Sequence, residues 1–149
     1  MKISLFCFAL CVAIVNASIE KYIDQLTTEI ATAKTECAKQ VGASVDDVVE
    51  VFQGKTPTSK EGKCIISCVL KLFGGQDSNG KINKHAAIGK IEELKPIDTD
   101  VYEKFSSVWK SCSEKTSDDN DGCDSAAKLM ICLAQEVDKH GISKKLIGL

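Results

Sequence analysis

The sequence predicts an all-α fold, a compact six-helix domain cross-linked by disulfides. Three observations predict it. Apolar residues recur at intervals of three and four along most of the chain, and no stretch alternates apolar and polar residues long enough to make a strand. Gly and Pro, with the capping residues Ser, Asp and Asn, fall between these stretches, where helices stop and start. Six cysteines lie in or beside the helical stretches, an even number that reads as a disulfide framework in a secreted chain.

Secretion is the expectation from residues 1–17. Met1-Lys2 is a short positive start, Ile3 to Val15 are apolar apart from Ser4, and Val15-Asn16-Ala17 supplies the small or aliphatic residues of a cleavage site. The apolar run is shorter than the roughly 20 residues of a membrane span, so a removed leader is expected rather than a membrane anchor. Cys7 and Cys11 leave with it. The domain is then residues 18–149, beginning at Ser18. Removing 17 of the 149 residues, Lys2 among them, leaves 132 residues with 18 lysines against 21 acids.

The first helix carries Ile19, Ile23, Leu26, Ile30, Ala33 and Cys37 at helical spacing and ends near Gly42. Ser44 caps a short second helix, Val45 to Phe52, which Gly54 and Pro57 stop. Ser59 caps a third, Lys60 to Phe73, before Gly74-Gly75. Asn83 caps a fourth, which runs to Leu94 ahead of Pro96. Asp98 or Asp100 opens a fifth, with Val101, Phe105, Val108, Trp109 and Cys112 on one stripe. Asp121-Gly122 precedes the sixth, from Cys123 to about Lys139, and Gly141 closes it. A mostly apolar tail, 142–149, follows. The third and sixth helices are apolar nearly all round and are expected at the centre.

The six cysteines are Cys37, Cys64, Cys68, Cys112, Cys123 and Cys132. Cys64 and Cys68 share one helical face, so each is better placed to reach another segment than to bond its neighbour. Cys123 and Cys132 face opposite sides of the sixth helix, nine residues apart at about 100° each. Of the 15 pairings that six cysteines allow, excluding these two self-pairs leaves ten, and geometry chooses no further. A zinc site is not expected: the short C-x2-C pairs are missing, and only His85 and His140 could assist.

The residues between successive cysteines number 26, 3, 43, 10 and 8. Three between a pair on a third helix and eight between a pair on a sixth, behind a leader, resemble the insect pheromone- and general-odorant-binding proteins of the six-cysteine type, over the whole mature chain. The resemblance implies the pairing Cys37–Cys68, Cys64–Cys123 and Cys112–Cys132. It implies six helices around an apolar cavity that carries small, poorly soluble ligands through aqueous secretion. The implied partner is a small hydrophobic ligand, with a chemosensory receptor as a further partner, and no cofactor. Physical chemistry makes such a carrier sensible. A cavity deprives its lining atoms of packing partners, disulfides offset that cost, and the ligand gains about 25 cal/mol per Å² of apolar surface removed from water.

Candidates for the cavity wall are large apolar residues on inward stripes: Phe52, Phe73, Ile88, Ile91, Phe105, Val108, Trp109, Met130, Leu133 and Val137. Trp109 offers a fixed ring and an N–H donor; the hydroxyls of Tyr22 and Tyr102 are expected to face solvent. Leu146 and Ile147 in the tail would waste apolar surface in water, so the tail is expected to fold back as a lid. His140 lies at its hinge, where charging below neutral pH would loosen it.

Other functions find less support. The chain has no arginine, which argues against nucleic acid or phosphate as the main partner. No G-x-S-x-G or H-E-x-x-H occurs, and neither histidine sits beside a helical cysteine pair as a phospholipase would need, so no catalysis is expected. The loops around Asp77 to Ile82 and Ser117 to Lys128 have the look of calcium loops, but lack required carboxylates and are expected to be turns. The alternative to a carrier is a secreted helical effector that binds a protein partner; an exposed apolar patch would favour it, an enclosed cavity the carrier.

Overall fold

The computed structural model describes residues 2–84, 89–119 and 121–149, with side chains described from residue 17 onward. Its helices are α1 (Lys2–Val41), α2 (Val45–Phe52), α3 (Lys60–Leu72), α4 (Gly89–Glu92), α5 (Thr99–Lys115) and α6 (Cys123–Lys139), followed by a 3-10 turn at Lys144–Ile147. Among the described residues there is no strand, only an isolated bridge between Gln76 and Ile82. None of the described helices is long and apolar enough to cross a membrane. The helix expected from Ile19 runs unbroken from Lys2, because nothing between the apolar start and Ile19 breaks a helix.

Local chemistry sets most of the boundaries. Ser44 and Asp47 form a reciprocal capping box at the start of α2, each satisfying a backbone N–H of the other. The Asp47 carboxylate also accepts from the Ser59 hydroxyl, which itself caps α3 through Gly62 N–H. Hydrogen bonds from Ser44 and Ser59 hold the Asp47 carboxyl below the usual carboxylate range. Of the two acids weighed for α5, Asp98 is the cap, accepting from Val101 N–H at 3.0 Å.

The fourth helix differs from expectation. Its described part is one turn, Gly89–Glu92, ending short of Leu94, and the start that Asn83 is expected to cap lies outside the described residues. Asn83 closes the loop behind α3: its N–H donates to the Gly75 carbonyl at 2.9 Å and its side-chain amide to the Gly74 carbonyl at 3.3 Å. His85 and Ile88 lie outside the described residues.

Helices α3 and α6 pack on each other more extensively than any other pair, as their all-round apolar sequences predict. The main core gathers Leu26, Leu70, Phe105, Trp109, Leu129, Leu133 and Val137; truncating Leu129 to Ala there costs about 2–5 kcal/mol. A smaller cluster of Cys37, Ala38, Val51 and Ile65 lies between α1, α2 and α3. Three disulfides tie the long helices in series: Cys37–Cys68 joins α1 to α3, Cys64–Cys123 joins α3 to α6, and Cys112–Cys132 joins α5 to α6.

In the two acidic loops Asp77, Asp118 and Asp121 are spent on backbone, while Asp119 and Asp124 pair with Lys128 and Lys63. Asp77 accepts from the N–H groups of Asn79 and Lys81 at 2.8 and 2.9 Å. Asp118 accepts from Ile82 N–H at 3.0 Å, and Asp121 from Cys123 N–H at 3.0 Å. The loops meet at Gly80 and Gly122, both at positive φ, and a Cβ on either would lie within 2.8 Å of the other's Cα. Gln76 locks this contact. Its amide donates to the carbonyls of Gly80 and Gly122, both at 2.8 Å, while its oxygen accepts from Ser67 of α3 at 2.8 Å.

A candidate ligand cavity under the C-terminal tail

A cavity of about 110 Å³ lies among the helices, of the order that holds a small aromatic molecule. Every helix contributes to its wall. α1 supplies Leu26, Ile30 and Lys34, and α2 with the loop after it supplies Val51 and residues 54–57. α3 and its cap supply Ile66, Val69, Leu70 and Phe73, α4 supplies Lys90 and Ile91, and α5 supplies Phe105 and Trp109. Ala127, Met130, Ile131, Leu133 and Ala134 come from α6, and Leu146, Ile147 and Leu149 from the tail. The wall is almost wholly apolar.

The structure brings Phe73, Ile91, Phe105, Trp109, Met130, Leu133, Leu146 and Ile147 together on this wall. It does not bring the other candidates there. Val108 and Val137 are buried in the close-packed core beside it. Phe52 is 44% exposed and is not on the wall, although its ring lies against the Lys34 ammonium, 5.4 Å from the ring centre. Ile88 is outside the described residues. The Trp109 ring lines the cavity, but its N–H is already committed to the Asn83 carbonyl at 3.0 Å. It therefore offers a ligand surface rather than a donor.

Neither tyrosine hydroxyl is simply solvated. Tyr22 donates to the Lys90 carbonyl, tying α1 to α4, and burial, helped by Glu93 and Glu29, pushes its pKa up to about 12. Tyr102 donates to Glu92 at 2.9 Å. Lys90 pairs with Glu29 at 3.1 Å and Glu93 at 3.5 Å.

The tail folds back onto the body. Ile142, Leu146 and Ile147 are buried, and the turn packs on α1 and α6. Gly148 makes the closest approach: at φ +73, a Cβ there would stand 2.5 Å from Ile30 Cγ2. Only glycine fits that backbone beside that neighbour. Leu149 reaches Gly54 in the α2–α3 loop. His140, at the hinge, is half exposed and 3.9 Å from Glu136 of its own helix.

Sequence reading missed the contribution of α1, Lys34 above all. Lys34 is buried, donating to the carbonyls of Gly148 at 2.6 Å and Val51 at 3.2 Å. Burial pushes its pKa below the usual lysine range. A signal existed: Leu26, Ile30 and Lys34 are spaced by four, which places the lysine on the apolar stripe.

Known proteins share this architecture. A sequence profile of the PBP/GOBP family matches residues 19–136. General odorant-binding protein 19d of Drosophila melanogaster is 29% identical over 112 residues, 75% of this chain and 74% of that protein. General odorant-binding protein 28a of the same organism is 28% identical over 130 residues, 87% of this chain and 88% of that protein. The solved structure of the odorant-binding protein dmelOBP28a from Drosophila melanogaster matches the fold with a TM-score of 0.66 at 24% identity, covering 81% of this chain and 99% of that one. With the profile spanning most of the sequence and the six-helix, three-disulfide fold in place, the chain belongs to the PBP/GOBP family.

Proposed function

We propose that this protein is a secreted carrier that binds and solubilises small hydrophobic ligands in the cavity under its tail. The observation that carries the reading is an apolar cavity in a core otherwise packed around it. An unfilled cavity weakens a small domain, and a bound apolar ligand recovers the lost contacts. The family's odorant-binding relatives support the same reading, and the family match opening at Ile19 supports taking residues 1–17 as a leader. On this reading Phe73, Ile91, Phe105, Trp109, Met130 and Leu133 contact the ligand, Leu146 and Ile147 cover it, and no catalytic group is needed. A chemosensory receptor as a further partner belongs to the same proposal. The protein-partner alternative would start from Val45, Val49 and Phe52, exposed apolar residues along one face of α2.

The test is displacement of a fluorescent aminonaphthalene dye from oxidised residues 18–149 by a panel of volatiles and fatty acids. Saturable one-to-one binding at micromolar levels, lost on reduction, is expected. No saturable dye binding would mean a filled core and return attention to the exposed face of α2. Deleting residues 142–149 is expected to weaken dye affinity about tenfold, roughly 1.4 kcal/mol; unchanged affinity would remove the lid from the proposal.

A further inference from the structure

Lys34 is where the wall departs from an apolar container. It is 8% exposed, and its ammonium meets only neutral groups: the Val51 and Gly148 carbonyls and the Phe52 ring. Two of its three protons are thereby used. No carboxylate of the described residues pairs with it, and burial pushes its pKa below the usual lysine range. Buried charges in proteins are ordinarily paired, because neutral dipoles replace only part of the lost hydration.

The rest of the wall points the same way. Its other ionisable side chains are Lys55 and Lys90, the latter paired with Glu29 and Glu93, and none is acidic, although acids outnumber lysines 21 to 19 in the chain. A wall whose ionisable side chains are all cationic, and which buries an ammonium with no side-chain counter-charge, suits a ligand that brings the negative charge.

We propose that the cavity selects amphiphiles with a carboxylate head, seated on the Lys34 ammonium, with the apolar body along the wall toward Phe73 and Trp109. This rests on the carrier reading and narrows it to a ligand class. The carboxylate would take the remaining proton of Lys34 and supply the missing counter-charge. The carbonyls at the ends of α2 and of the tail turn hold the ammonium in place.

The experiment compares octanoate, methyl octanoate and octanol as competitors of the bound dye at neutral pH. The wild-type protein is expected to bind octanoate at least tenfold tighter than its ester. Lys34→Met, which keeps the length of the stem and removes the charge, is expected to level the two while still binding the ester; Lys34→Arg restores the preference. An ester that binds as well as the acid in the wild type overturns the proposal and leaves the carrier reading standing. A preference that survives Lys34→Met also overturns it. Dye that does not bind at all overturns both. Should Lys34→Met fail to fold, nuclear Overhauser contacts in the wild type decide: those from the octanoate C2 protons are expected on Lys34 Hε, and contacts on Lys55 or Lys90 instead overturn the assignment.

Discussion

Two buried polar side chains, Gln76 and Lys34, sit in contrasting regions of the molecule. Gln76 is 3% exposed, and both amide protons and its oxygen have partners, drawn from α3 and two loops. Lys34 is nearly as buried, yet carries a charge answered only by carbonyls and a ring. The glutamine region is closed: two glycines touch, a disulfide stands beside them, and the loop acids are answered by backbone N–H groups or, at Asp119 and Asp124, by lysines. The lysine region borders empty space. The difference teaches that burial alone does not separate scaffold from site. Completeness of partners does, since a satisfied polar network fixes one structure while an unanswered group stores affinity for something absent.

Substitutions can pull the two regions apart, and their effects on stability fall in order. The largest belongs to Cys64→Ala with Cys123→Ala, which opens a bond between residues 59 apart in sequence; the chain-entropy argument gives a loss of about 4 kcal/mol in urea unfolding. Next is Gln76→Leu. It strands the Ser67 hydroxyl and the Gly80 carbonyl, while the Gly122 carbonyl keeps the Ala126 N–H. The cost is about 2 kcal/mol, and ligand affinity of the folded fraction should not change. Gly122→Ala matches it at about 2 kcal/mol, from a strained backbone and contact with Gly80; calorimetry would read it as a lower Tm. Lys34→Met comes last. Removing a buried charge offsets its two lost hydrogen bonds, so stability should move by less than about 1 kcal/mol, while the acid-over-ester preference disappears. A large destabilisation from Lys34→Met would break the comparison, because it would make Lys34 scaffold too.

Helix boundaries were legible where a short polar side chain answers its own backbone. Ser44, Ser59 and Asp98 act within three residues, so the sequence displays both partners. Contacts that run backwards were not legible: Asn83 also reaches the carbonyls of Gly74 and Gly75 at the end of α3, which nothing in its local pattern displays. Cysteine spacing on helix faces left ten pairings, and only the family resemblance chose among them. For the cavity, periodicity located the buried faces of α5 and α6 but could not say where packing is incomplete. Trp109 and Val108 are sequence neighbours, both buried, and only the tryptophan borders the void. Lys34 escaped because its residue type overrode its register: a lysine among apolar neighbours reads as solvated until the tail closes over it.

The disulfides have a consequence for motion. They fasten α1, α3, α5 and α6 to one another, and none reaches α2, α4 or the tail. Those unfastened pieces, with the loop at 54–57, border the same void. The protein should therefore breathe unevenly, with amide hydrogens of α2 and the tail turn exchanging well ahead of those in α3 and α6. Uptake and escape of a guest then keep time with small local openings, and the welded core never has to melt to let one through.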